Sequence, residues 1–170
     1  MQRAAGEIAA VLREILHGVP RVDMISVRAK SVERFLEKAR REVWQDPLRD
    51  IQDQIGARVV VFYKSDVDAV AQTVLSTLRL IEDRQMENPD PRIFGYQGKH
   101  FLCAVPPDIC ARAASPVDFF ELQVSTLFQH AWAEAEHDLG YKLEAPLDYE
   151  ERRKIAWAAA QAWGCGQDLR

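Results

Sequence analysis

The chain has 170 residues, 48% hydrophobic and 28% charged, and its 26 acidic and 22 basic side chains leave a formal charge of −4. That fits one globular domain able to bury its own core and excludes a global basic footprint for nucleic acid. No stretch is apolar enough to span a membrane and no secretory signal is read, while three cysteines (Cys103, Cys110, Cys165) without metal-type spacing favour reduced thiols in a cytoplasmic protein over a disulfide frame.

Ala4 to His17 carries Ile8, Val11, Leu12 and Ile15 at helical spacing and reads as an amphipathic helix stopped by Gly18 and Pro20. Val22 to Val27 is a short apolar run, a candidate strand. Ser31 is a good N-cap for a second helix, on which Val32, Phe35, Leu36, Ala39 and Val43 are expected to form the buried stripe, with Arg34, Lys38 and Arg41 opposite. Ala57 to Tyr63, rich in β-branched residues, reads as a buried strand. Ser65 is expected to cap a third helix, with Asp66 and Asp68 in its first turn and Val70, Val74, Leu78 and Ile81 as its apolar positions.

Glu82 to Phe94 is polar, holds two prolines and reads as a loop. His100 to Val105 reads as a strand and Pro106 to Pro116 as a connection. From Phe120 to Ser125 apolar and polar residues alternate, the period of a half-buried strand, with Glu121, Gln123 and Ser125 on its polar face. A helix rich in His and Glu follows, and a last helix from about Tyr149 to Trp163 carries Ile155, Ala158, Ala159 and Ala162. Helices and strands mix without clean βαβ repetition, which gives an α+β domain with one mixed central sheet flanked by helices.

Several groups of residues carry chemistry. Arg28 and Lys30 leave one face of an extended segment just before the amide groups of the second helix, an anion or polyphosphate site if they are more than two solvated charges. Asp53 precedes the central strand, where a carboxylate either binds Mg²⁺ or serves as a cap or turn residue. Tyr96, between Gly95 and Gly98, offers a flat face for a base or packs at a hairpin entry. Glu121 and Gln123 place a carboxylate and an amide side by side on a rigid strand. His130, Glu134 and His137 share a helix face, an arrangement met more often in a hydrogen-bonded network than in a metal site.

The order and spacing of these groups resemble the synthetase domain of the RelA/SpoT family. The likeness runs from about Val27 to Lys142: Arg-x-Lys, a basic helix, Asp-x-x-Gly-x-Arg, Gly-Tyr-x-x-x-His, Glu-x-Gln-x-x-Thr, and Gln-His-Ala-Trp-Ala-Glu-x-Glu-His-Asp-Leu-x-Tyr-Lys. It implies one synthetase domain over residues 1–170, with a core at about 22–142, flanking helices at both ends and a sheet similar to that of polymerase β-type nucleotidyltransferases. It also implies a cytoplasmic enzyme that transfers the β,γ-pyrophosphate of ATP to the 3′-hydroxyl of GTP or GDP, giving (p)ppGpp and AMP. On this likeness Arg28, Lys30, Lys38 and Arg58 would bind ATP, Asp53 and Glu121 would hold Mg²⁺, and Glu121 would act as the base. Tyr96, His100 and Gln123 would bind the acceptor.

Three positions depart from the pattern: Arg34 and Gly98 stand where serine is common, and Ser125 where arginine is. These keep two rivals open, a toxic relative that modifies adenosine nucleotides or the tRNA 3′ end, and a degenerate nucleotide-sensing domain. Assembly into a homo-oligomer through the terminal helices is a further expectation, by analogy.

Overall fold

The computed structural model describes residues 1–41, 43–86, 90, 93–94, 98–142 and 147–167. In chain order its elements are α1 (Gln2–Ile15), β1 (Val22–Ala29), α2 (Val32–Arg41), α3 (Pro47–Asp50), a 3₁₀ turn (Gln52–Gln54), β2 (Ile55–Val61), α4 (Lys64–Thr77) and β3 (Leu80–Met86). They continue with β4 (Gly98–Ala104), α5 (Pro107–Ala113), β5 (Phe119–Thr126), α6 (Leu127–Lys142) and α7 (Tyr149–Cys165). The strands form one mixed sheet in the order β1-β2-β5-β4-β3, with β2 and β5 parallel and the other neighbours antiparallel. The α+β expectation holds.

One sheet face carries the core. Ala57, Val59, Val61, Phe101, Cys103, Phe120, Leu122 and Val124 are buried there with Ile8 and Leu12 of α1, Val70 and Val74 of α4, and Ile109 of α5. Fully burying each such aliphatic or aromatic side chain contributes roughly 1.5–3 kcal/mol. Burial pushes the Cys103 thiol up to about 11. The alternation in β5 has this origin: its even-numbered residues through 124 enter the core, while Glu121 and Gln123 stay half-buried on the opposite face. At the far end of that opposite face, Val60 and Ser125 are register neighbours and both are buried, where α6 packs on β2 and β5 and α7 packs on α6. Gly166 closes the same end: a Cβ there would meet Thr126 Oγ1 at 2.8 Å.

Four local expectations are corrected. The supposed loop after Ile81 begins as an edge strand, β3, and Ile81 belongs to it rather than to α4. Charged residues such as Glu82, Asp83 and Arg84 blunt a sheet edge against further pairing, and they erase the alternation that marks a strand. The 106–116 connection contains α5. The start of α4 is fastened by Asp66, which accepts a hydrogen bond from the Tyr63 amide and pairs with Arg21, rather than by Ser65.

The fourth correction concerns α2, which buries no residue. Val32 is 69% exposed and Leu36 44%, and Val43 beyond the helix is fully exposed. The half-buried face is Phe35, Lys38 and Ala39, so the lysine shares a side with the apolar residues instead of opposing them. Among the described residues no helix is long and apolar enough to cross a membrane.

Candidate active site

The polar face of the sheet forms the floor of a cavity of about 360 Å³, lined by residues of β1, α2, the 3₁₀ turn, β2 and β5 that include Arg28, Lys30, Asp53, Arg58, Glu121 and Gln123. Register explains the gathering. Arg28, Gly56 and Glu121 lie on one rung across β1, β2 and β5, and Ser26, Arg58, Gln123 and His100 on the next across four strands. Gly56 has nothing within 4 Å of the place a Cβ would take, which leaves open space between Arg28 and Glu121.

Asp53 reaches the cavity from the 3₁₀ turn. Its backbone (φ −92°, ψ 31°) lies in the sparsely populated bridge region. The turn is pinned by its neighbours: Ile51, Gln54 and Ile55 are buried, the Gln54 amide donates to the carbonyls of Leu48 and Ile51, and the Lys30 amide donates to the Gln54 carbonyl. Lys30 Nζ and Lys38 Nζ then hold the Asp53 carboxylate at 2.6 and 3.1 Å. Burial pushes this carboxyl up, but the hydrogen bonds and charges of the two lysines outweigh it and keep it below the ordinary aspartate range.

Glu121 is the centre of a second arrangement. His100 Nδ1 lies 3.1 Å from its Oε1, and the Gln123 amide donates to its Oε2 at 3.2 Å. The Gln123 carbonyl oxygen accepts from Arg58, which also pairs with Glu134 and lies 3.3 Å from His130 Nδ1. A hydrogen-bonded chain thus runs from α6 through β2 to β5 and β4. The His100 bond is the main cause that holds Glu121 below the ordinary glutamate range; burial and the charge of Asp53 both push the other way. Burial, then the Arg58 charge, push His130 down. A smaller space of about 190 Å³, lined by Arg58, His100, Gln123, Ser125, His130 and Ala133, continues the cavity toward α6.

The structure therefore brings Arg28, Lys30, Lys38, Asp53, Arg58, His100, Glu121 and Gln123 around one cavity system. Arg58, expected with the ATP-binding group, is tied to Gln123 and α6. Tyr96 lies outside the described residues. His130 and Glu134 belong to the Arg58 network, as their spacing on one helix face suggested. Arg84 escaped sequence reasoning because its strand read as a loop, yet it pairs in register with His100 and feels the charge of Glu121. Asp53 and Glu121 supply two hard oxygen donors that feel each other's charge, the kind of set a small divalent ion completes with substrate phosphates. Among the described residues no group of three His, Cys, Asp or Glu side chains is placed to hold a metal by itself.

The family model described as "Region found in RelA / SpoT proteins" matches residues 27–145. The chain belongs to the RelA/SpoT family. Among relatives of this RelA/SpoT chain, GTP pyrophosphokinase YjbM of Bacillus subtilis (strain 168) is 25% identical over 145 residues, covering 83% of this chain and 67% of that protein. The structure of a GTP pyrophosphokinase family protein from Streptococcus pneumoniae superposes with a TM-score of 0.79 at 25% identity, covering 95% of this chain and 83% of that one. Small alarmone synthetase 1 from Bacillus subtilis, bound to its product pppGpp, has the same fold, with a TM-score of 0.77 at 22% identity and coverage of 95% and 86%.

Proposed function

We propose that this chain is a nucleotide pyrophosphokinase that moves the β,γ-pyrophosphate of ATP to the 3′-hydroxyl of GTP or GDP, releasing AMP and making (p)ppGpp in the cytoplasm. The observation that carries the reading is the placement of Glu121, hydrogen-bonded to His100 and Gln123, on the floor of a cation-lined cavity that Asp53 also enters. The RelA/SpoT membership and a relative named as a GTP pyrophosphokinase support the same reading.

The acceptor hydroxyl oxygen forms a bond to the β-phosphorus while the bond from that phosphorus to the α,β-bridging oxygen breaks and AMP leaves. The hydroxyl proton passes to the Glu121 carboxylate. Such a transfer asks the protein mainly to position the groups and neutralise charge. Gln123 and His100 fix the orientation of Glu121, and Arg58 fixes the Gln123 amide through its carbonyl oxygen. Arg28, Lys30 and Lys38 meet the phosphate chain; an arriving triphosphate competes with Asp53 for the two lysines. Asp53 and Glu121 would hold Mg²⁺, which supplies charge neutralisation at the transferring phosphates when bound. Tyr96 and His100 are assigned to acceptor binding on the family likeness.

The test is transfer of label from γ-labelled ATP with Mg²⁺, offering GDP, GTP, AMP, ADP, ATP or tRNA in turn. Labelled guanosine tetra- or pentaphosphate is the expected product. Label on an adenosine nucleotide or tRNA reassigns the acceptor. No transfer to any acceptor, with wild type equal to Glu121→Gln, sinks the enzyme reading.

A further inference from the structure

The charges of the cavity do not balance within the protein. Arg28, Lys30, Arg34 and Arg58 line it, and Lys38 reaches into it. Lys30 and Lys38 are satisfied by Asp53, and Arg58 by Glu134 and Gln123. Glu121 is satisfied by His100 and Gln123. Arg28 and Arg34 remain: among the described residues neither side chain has a recorded ion pair or hydrogen bond, and both are exposed to the cavity.

Among the described residues nothing asks for a cation at position 34. Its side chain is exposed, and among the described residues α2 gains no ion pair from it, although Glu37 stands one turn away. A positive charge in the first turn of a helix opposes the helix dipole and weakens that end slightly. The backbone amide of Arg34 takes part in the Ser31 cap, a role any non-proline residue fills. The side chain is therefore accounted for by what enters the cavity.

We propose that Arg34 is a polyphosphate-binding residue of the donor site, acting with Arg28 as a pair of uncompensated guanidiniums that take the phosphate chain while Lys30 and Lys38 are still held by Asp53. This rests on the reading of the cavity as a nucleoside triphosphate site and adds a residue that the family pattern, with serine at this position, does not supply. A guanidinium binds a phosphate through paired, charge-assisted hydrogen bonds that an ammonium only partly reproduces.

The experiment is calorimetric titration, without any acceptor, of wild type, Arg34→Ala and Arg34→Lys with a non-hydrolysable ATP analogue, inorganic tripolyphosphate and AMP. Arg34→Ala should weaken the analogue and tripolyphosphate by roughly tenfold or more, and AMP far less. Arg34→Lys should recover part of the loss. Thermal melting should match wild type, because among the described residues no ion pair or side-chain hydrogen bond is removed. Alanine binding both polyphosphates as tightly as wild type overturns the proposal. So does loss confined to the nucleotide analogue with tripolyphosphate unchanged, which would mark Arg34 as a base contact. Wild type that binds neither compound overturns the donor-site reading itself along with this inference, a pattern distinct from the other two.

Discussion

On the sheet side of the cavity, Arg58, Gln123, Glu121 and His100 stand on three adjacent strands, each hydrogen-bonded to the next, and the first three have core residues on either side in the chain. On the helix side, Lys30, Lys38 and Asp53 meet through ion pairs, and α2 behind them buries nothing. The contrast follows from what each side has to do. A group that receives a proton in the transition state gains from a position fixed beforehand, and a strand with one face in the core supplies it. A surface that grips a flexible, highly charged chain gains from side chains that can exchange one anion for another. The helix side already holds an anion, Asp53, in the place a phosphate would compete for.

The largest test of this division is Glu121→Gln. It keeps the shape but leaves one acceptor oxygen where the carboxylate offers two, and it removes the proton acceptor, so it should cut pyrophosphate transfer by roughly a hundred- to ten-thousandfold. Affinity for the non-hydrolysable ATP analogue, measured without Mg²⁺, should change little. A comparable loss of ATP affinity would mean that the two sides are one unit. Next in size is a stability contrast read by urea unfolding. Leu122→Ala, in the core under the sheet side, should cost about 2–5 kcal/mol. Leu36→Ala on α2 should fall within about 0.5 kcal/mol of wild type. A Leu36 loss that rivals Leu122 would show that another surface covers α2 in solution.

The sheet side was legible in the sequence for the reason that makes it rigid. One face of β5 is core and the other is site, so the alternation from Phe120 to Ser125 reports both at once. The helix side was read less well. Its apolar residues suggested a stripe toward the core, but α2 covers a polar cavity, and its inward side includes Lys38 because that lysine reaches Asp53. Periodicity shows that a helix has two sides and does not say what the inner one faces. Asp53 was placed correctly before β2, although that strand is not the middle one of the sheet, yet nothing in the sequence signals the buried Gln54 amide that pins its turn. Arg84 was lost with β3, whose charges hide its period. The order of motifs carried the family, while the unbalanced charge of Arg34 required the positions of its neighbours.

The smallest expected effect lies within the sheet side and has a definite sign. Glu121 is held below the ordinary glutamate value of 4.5 mainly by the bond from His100, and burial and the charge of Asp53 oppose that bond. Transfer that needs the ionised carboxylate runs at full rate above the folded pKa and fails as pH falls through it. The acid limb of kcat/KM, which reports groups of the free enzyme, therefore belongs below the ordinary glutamate range in wild type. Replacing His100 with Leu removes the largest lowering cause and leaves only the Gln123 hydrogen bond against both raising causes, so the limb should move upward in pH. His100→Gln, whose amide can donate to the same oxygen, should return part of the shift. An acid limb that stays put in His100→Leu would mean that another group sets it. Glu121 would then owe its ionised state to Gln123 and the surrounding cations rather than to the hydrogen-bonded chain across the strands.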